Sequence, residues 1–139
     1  METIQDIQST IIEEFAFFDD WTDKYEYIIE LGKSLEGIDP QFKTQENIIT
    51  GCQSKVWLHA SLEDGKVQLA AESDAIIVKG LIALLLRVYN NQKPEDIIKE
   101  EPRFIMEIGM QNHLSPTRSN GLLSMVKQIK FYAIAFSSK

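Results

Sequence analysis

A chain of 139 residues, with 44% hydrophobic and 25% charged side chains, is long enough to bury the core of one globular domain over residues 1–139. Its net charge of −7 is uneven: residues 1–46 carry 12 acidic and 3 basic side chains, a balance of −9, and residues 47–139 carry 9 acidic and 11 basic side chains, a balance of +2. Nucleic acids and anionic membrane surfaces bind clustered Lys and Arg, so we expect neither as a partner.

Two amphipathic helices are predicted at the start of the chain. Thr3 and Asp6 have the spacing of a capping box, and apolar residues recur at helical intervals to about Phe18. A second helix is predicted to begin near Asp20 or Thr22. The residues expected on its core-facing side are Tyr25, Ile28, Ile29 and Leu35.

A loop and a β-hairpin are predicted next. Residues 36–46 contain glycine, proline and few apolar side chains, which predicts a loop. Alternating apolar and polar residues on either side of Asp64-Gly65 predict two strands joined by a two-residue turn. The residues expected to face the core are Val56, Leu58, Ala60, Leu62, Val67, Leu69 and Ala71. Ile48 and Ile49 are predicted to add a short third strand.

The remaining chain is predicted to be helical. A helix is predicted to end at Tyr89, with Ser73 as its N-cap and Asp74 in its first turn. It is apolar almost all round, which is typical of a helix at the centre of a fold. Short helices are predicted over residues 95–99 and 103–110. Ser115 is expected to cap a final helix with a buried stripe formed by Leu122, Met125, Val126, Ile129, Ala133 and Phe136. This order predicts an α+β fold with helices on one face of a small antiparallel sheet.

The chain has one cysteine, Cys52, which precedes the first predicted strand. Its neighbours Gly51, Gln53, Ser54 and Lys55 are small or polar, which is atypical of a core cysteine, and the lysine would favour the nucleophilic thiolate. A buried, inert cysteine is the structural alternative. One cysteine cannot form an internal disulfide, and the sequence shows no export signal. We therefore expect a free thiol in a reducing cytoplasm.

Four segments of the chain carry recognisable motifs. They are GCQSKVW at residues 51–57, Trp21 with residues 24–32, residues 73–81, and HLSPTRSNG at residues 113–121. Their sequences, order and spacing resemble those of the SufE family, sulfur-acceptor proteins that work with cysteine desulfurases. The resemblance covers most of the chain. It implies an α+β fold shared with iron–sulfur scaffold proteins of the NifU and IscU type.

The resemblance implies that Cys52 takes sulfur from the active-site persulfide of a PLP-dependent cysteine desulfurase (SufS-like), stimulates that enzyme and passes the sulfur to an iron–sulfur scaffold (SufBCD-like). A thiolate can attack and carry sulfane sulfur without a metal or a cofactor, so we expect the chain itself to hold neither PLP nor metal. The candidates for partner docking or for gating the loop are Gly51, Gln53, Ser54, Asp74, His113 and Arg118. Helix capping by Asp74 and an ion pair of Arg118 are equally open.

Other uses of Cys52 fit the residues less well. A structural zinc site needs four ligands, and the chain offers one Cys and two His; His59 also has the wrong strand parity relative to Cys52. The same shortage excludes a scaffold that binds iron through several cysteines. A cysteine hydrolase needs a histidine base, which His113 would supply only if the fold brought it near. A module that activates a desulfurase allosterically, with Cys52 incidental, is the alternative function.

Overall fold

The computed structural model of the chain describes residues 3–49 and 54–138, apart from the side chain of Gln111. Its helices and strands are, in chain order, α1 (Ile4–Ala16), α2 (Trp21–Lys33), two 3₁₀ turns (Pro40–Phe42 and Gln45–Asn47), β1 (Val56–Glu63), β2 (Lys66–Ser73), α3 (Ile76–Tyr89), α4 (Pro94–Lys99), α5 (Arg103–Ile108), α6 (Met110–His113) and α7 (Pro116–Ser137). β1 and β2 form a two-stranded antiparallel sheet that packs against the helices. The predicted α+β class is confirmed.

The first two helices begin at the predicted caps. The Thr3 hydroxyl accepts a hydrogen bond from the Asp6 amide at 3.0 Å, and the Asp6 carboxylate accepts one from the Thr3 amide at 3.3 Å. The Asp20 carboxylate caps α2 by accepting a hydrogen bond from the Asp23 amide at 2.9 Å. One of the four predicted core residues of α2 is placed differently, because Ile29 lines a surface groove instead of packing in the core. Leu35 packs against the core as predicted, but it lies beyond the end of α2.

α2 and α3 approach each other through two glycines. A Cβ atom added to Gly80 would lie 2.1 Å from the carbonyl oxygen of Ile28, and one added to Gly32 would lie 2.7 Å from the backbone nitrogen of Gly80. Any larger residue would overlap the facing backbone at these positions. The contact places α3 at the centre of the protein, as predicted, with these residues buried: Val78, Gly80, Leu81, Ile82, Leu84, Leu85, Val88 and Tyr89.

The predicted N-cap of α3 is wrong. Ser73 is the last residue of β2, and α3 begins at Ile76 without a side-chain cap. The Ser73 hydroxyl accepts a hydrogen bond from the Ala75 amide at 3.2 Å and donates one to the Lys55 carbonyl at 2.9 Å. β2 continues through Ser73, so the Ser73 hydroxyl donates to the carbonyl of Lys55, just before β1, and does not cap α3. Asp74 is exposed and lies outside the first turn of α3.

The hairpin has the predicted turn and inner face. Its register runs from Val56 opposite Ser73 to Glu63 opposite Lys66, and Asp64 and Gly65 have φ angles of +53° and +77°, which suit a type I′ turn. The buried inner residues are Val56, Leu58, Val67, Leu69 and Ala71. Leu62 is exposed and Ala60 is half-buried, although Val67 and Leu69, which lie opposite them on β2, are buried.

The helices after α3 follow the predicted caps with one difference. Gly109, at a φ of +89°, ends α5 at Ile108 and separates it from α6, whereas one helix was expected over residues 103–110. The Ser115 hydroxyl caps α7, and five of the six predicted stripe residues are buried; Phe136 is half-buried. Within the described ranges, no helix is both long and apolar enough to cross a membrane.

We expect Gly80→Ala to destabilise the protein by about 2–3 kcal/mol, because the new Cβ would overlap the backbone of α2 at Ile28. Helix propensity alone predicts the opposite sign, since alanine stabilises a helix interior relative to glycine. Denaturant unfolding measures the difference. Ala135→Gly, at an exposed position of α7, is the control for propensity and should cost about 0.5–1 kcal/mol. A Gly80→Ala protein as stable as the native one would contradict the close contact.

Candidate functional site

The segment that contains Cys52 is tied at both ends. Ile48 forms an antiparallel bridge with Trp57, and the Ile49 amide donates a hydrogen bond to the Val56 carbonyl at 2.9 Å. Ile49 and Val56 are both buried in the core. The predicted third strand is therefore a single bridge within the described residues. It closes the base of a six-residue connection, 50–55, in which the candidates Gly51, Cys52 and Gln53 lie outside the described residues.

A cavity of about 80 Å³ lies beside this connection, between the first halves of α3 and α7. Three buried apolar side chains line it: Val78, Leu81 and Met125. Its polar lining comes from Ser54, which is half-buried, and from Thr117 and Arg118, which are exposed. Gly121 completes the lining. The fold thus brings together Ser54 and Arg118, two candidates that are far apart in the sequence.

The electrostatics of the cavity favour an anion. Arg118 lies in the first turn of α7, a helix of 22 residues, and its amide donates to the capping hydroxyl of Ser115 at 3.2 Å. The positive end of the helix dipole and the guanidinium therefore lie on the same side of the cavity. The guanidinium has no hydrogen-bond or ion-pair partner among residues 3–49 and 54–138, so the ion pair considered for Arg118 is absent there.

His113 and Asp74 are not among the residues that line the cavity. The His113 ring stacks on Trp21, with centroids 4.2 Å apart and planes at 18°, and its carbonyl accepts a hydrogen bond from the Tyr25 hydroxyl. Two of the sequence motifs thus meet in a contact between α2 and α6. Asp74 is exposed and, among the described residues, makes no hydrogen bond or ion pair.

The loop at residues 36–46, for which the sequence suggested no role, covers the outer face of the hairpin. The Lys43 ammonium lies 2.6 Å from a carboxylate oxygen of Glu72 and 4.7 Å from the centre of the Trp57 ring. The other carboxylate oxygen of Glu72 accepts the Ile38 amide at 3.2 Å. The hydrogen bond from Lys43, and then the one from Ile38, lowers the pKa of Glu72. We call Ile38, Lys43, Trp57 and Glu72 the hairpin clamp.

The rings of both histidines of the chain stack on aromatic side chains. The His59 ring stacks on Phe42 with centroids 3.6 Å apart, which adds a further contact between the 36–46 loop and the hairpin. Trp57 and His59 place two rings on the outward face of β1. In the sequence, this pattern indicates that another part of the chain covers that face. In the part of the chain that the structure describes, no group of three or more His, Cys, Asp or Glu side chains is arranged to hold a metal ion.

These features describe a small α+β protein with its one cysteine in a connection that is tied to a hairpin and adjoins a cavity between two helices. The family model described as SufE, Fe-S metabolism associated domain, matches residues 9–133. The chain therefore belongs to the SufE family, which links it to iron–sulfur metabolism. The predicted family is confirmed.

Individual proteins agree with this assignment. Over 125 residues the chain is 43% identical to an uncharacterized SufE-like protein of Rhizobium meliloti (strain 1021), which covers 86% of this chain and 89% of that protein. It is 42% identical to another of Rhizobium etli, again over 86% of this chain and 84% of that protein. The solution structure of a hypothetical protein from Thermus thermophilus matches with a TM-score of 0.80 at 20% identity, over 96% of this chain and 97% of that one. At that identity the likeness shows the fold alone.

We expect the hairpin clamp to contribute pH-dependent stability. Because the pKa of Glu72 is lowered in the folded protein, its carboxylate stabilises the fold above the ordinary glutamate pKa, and this contribution is lost as the pH falls through the lowered value. Glu72→Gln should cost less than about 1 kcal/mol at pH 7, since both charged side chains are partly exposed. The difference from the native protein should vanish in acid, as measured by denaturant unfolding across pH. Glu63→Gln, an exposed carboxylate on the same hairpin, is the control. A pH-independent difference would contradict the ion pair.

Proposed function

We propose that this protein is a sulfur acceptor that carries persulfide sulfur on Cys52. The sulfur comes from the active-site persulfide of a PLP-dependent cysteine desulfurase, which the protein stimulates. It then goes to an iron–sulfur assembly scaffold of the SufBCD type. Membership of the SufE family supports the link to iron–sulfur metabolism. In this proposal the whole chain, residues 1–139, is one SufE-like domain that works in the cytoplasm.

The observation that carries the proposal is the cavity that Ser54 and Arg118 share. Ser54 follows Cys52 by two residues, so the Cα atoms of the two residues lie within about 7 Å of each other in any conformation. A thiol on so short a tether can reach the mouth of the cavity. The arrangement therefore suits a cysteine that works next to a cation and a buried apolar surface.

The proposed transfer is a thiol–persulfide exchange. The Cys52 thiolate attacks the terminal sulfur of the desulfurase persulfide, a new S–S bond forms on Cys52, and the S–S bond of the desulfurase breaks. The desulfurase cysteine leaves as a thiolate, and the proton of the persulfide travels with the transferred sulfur. No external oxidant or reductant takes part. The same exchange, with the scaffold as attacking partner, unloads Cys52.

The cavity lining suits both states of this cysteine. The Arg118 guanidinium and the N-terminal end of α7 favour an anionic sulfur, which is the reactive form of a thiol and a persulfide. The apolar side chains of Val78, Leu81 and Met125 offer a surface that excludes water and free thiols. Exclusion matters because a persulfide in open solvent is lost to passing thiols.

We expect Cys52→Ser to fold normally, with an unchanged thermal midpoint, and to lose sulfur acceptance completely, because the hydroxyl is not a sulfur nucleophile at neutral pH. The protein is mixed with a cysteine desulfurase and L-cysteine and weighed intact. The native protein should gain one sulfur atom, and Cys52→Ser should gain none. Stimulation of alanine production by the desulfurase should fall to the basal rate.

The same samples distinguish the alternative function. A protein that only activates the desulfurase allosterically would keep full stimulation in Cys52→Ser and would carry no extra sulfur in the native form. Cys52→Ala is the second variant, since it removes the hydrogen-bonding capacity of serine. Stimulation retained by both variants would overturn the acceptor and favour the allosteric module.

We expect Arg118→Ala to weaken binding of the desulfurase about tenfold, because an exposed guanidinium at the mouth of the cavity is available to pair with a partner carboxylate. Thermal stability should hardly change, since Arg118 has no described side-chain partner to lose. Titration calorimetry measures the affinity, and Lys93→Ala, an exposed cation elsewhere, is the matched control. Unaltered binding together with a large loss of stability would show that Arg118 is structural.

A further inference from the structure

The outer face of α7 exposes large apolar side chains. Leu123 is 55% exposed, Phe131 is 64% exposed and Ile134 is 53% exposed, and none of the three belongs to the hydrophobic core formed by the described residues. Single exposed apolar side chains are common on protein surfaces, but several on the same side of one helix indicate an interaction site. Packing in the core therefore does not account for the apolar side chains on this face.

The three residues lie on one side of α7, together with Lys127. At about 100° per residue, Leu123, Lys127, Phe131 and Ile134 fall within an arc of about 80° on the helix and extend over about 16 Å of its axis. The buried residues of α7 lie on the opposite side. We call these four residues the α7 stripe. None of the four lines the cavity beside the 50–55 connection.

The charge of α7 is unusual for this chain. Within its bounds it carries Arg118, Lys127 and Lys130 and no Asp or Glu, whereas the whole chain has a net charge of −7. Lys130 is engaged by the Ile98 carbonyl at 3.2 Å and by Glu101 at 3.1 Å. Lys127, in the middle of the stripe, is exposed and has no ion-pair partner within residues 3–49 and 54–138. The stripe thus combines apolar side chains with an available cation.

We propose that the α7 stripe docks an acidic amphipathic helix of a partner protein. The apolar side of such a helix covers Leu123, Phe131 and Ile134, and its flanking carboxylates pair with Lys127. The acidic excess of residues 1–46, a balance of −9, repels the same partner from other parts of the surface and so orients its approach. This surface is separate from the candidate site, and its existence does not depend on sulfur transfer.

Charge also argues against two other occupants. In a symmetric dimer through α7, Lys127 lies near the middle of the stripe and would approach its copy, which places like charges together. An anionic membrane gains only about 1 kcal/mol for each cation near its surface, and the stripe offers one available cation against a net charge of −7. A helical protein segment with carboxylates brings no like charge to Lys127, and it does not depend on several cations for its binding.

The test uses the full-length protein and a labelled synthetic helical peptide of about five turns, with a leucine stripe flanked by glutamates. Fluorescence anisotropy should show saturable binding that Leu123→Gln and Phe131→Gln each weaken at least about tenfold. Lys127→Glu should weaken it similarly and should restore affinity for a second peptide in which lysines replace the glutamates. Met106→Gln, at a position on α5 that is 71% exposed, is the matched control and should bind like the native protein.

Amide chemical shifts and three controls decide the outcome. Shifts confined to α7 residues on and beside the stripe support the proposal, as does loss of binding in the stripe variants with unchanged circular dichroism. Shifts centred elsewhere, or equal binding by all variants, would overturn it. A dimer that Phe131→Gln dissociates in analytical ultracentrifugation would assign the stripe to self-association instead. Sedimentation with anionic phospholipid vesicles, lost in the same variants, would assign it to a membrane.

Discussion

The rest of the structure depends on the contact between the backbones of α2 and α3. At Gly32 and Gly80 the two helices are so close that a single methyl group would overlap the facing main chain. The contact fixes α3 in the middle of the protein, and a close-packed interior passes that constraint on to every element around it. The hairpin and α7 pack on the other sides of α3, so Val78 and Leu81 have defined positions in the wall of the cavity.

A series of weak contacts then positions the connection that carries Cys52. The bridge between Ile48 and Trp57 closes its base, and the hairpin clamp holds the preceding loop across the outer face of the same strand. Each contact is worth little alone, since the Lys43–Glu72 pair is partly exposed. Together they attach a short polar segment to a rigid sheet at both ends. Reactive side chains are commonly presented in this way.

Charge is distributed unevenly along the chain. The acidic excess lies in the first 46 residues, whereas α7 carries Arg118, Lys127 and Lys130 and no Asp or Glu. Fields of this kind orient a partner before any contact forms. For a protein proposed to receive sulfur from one partner and to deliver it to another, two separate docking regions on α7 would allow the partners to be recognised by different chemistry.

The sequence by itself determined the elements and the family, because their signals are local: the box of Thr3 and Asp6, the hairpin turn and the Ser115 cap each depend on residues within a few positions. The four motifs likewise identified the SufE family without any structure. Only the tertiary structure decided which distant residues meet. It placed Arg118 in the same cavity as Ser54, stacked His113 on Trp21, and brought the 36–46 loop onto the hairpin. It also showed that the Ser73 hydroxyl bonds the Lys55 carbonyl and the Ala75 amide and does not cap α3, because β2 continues through Ser73.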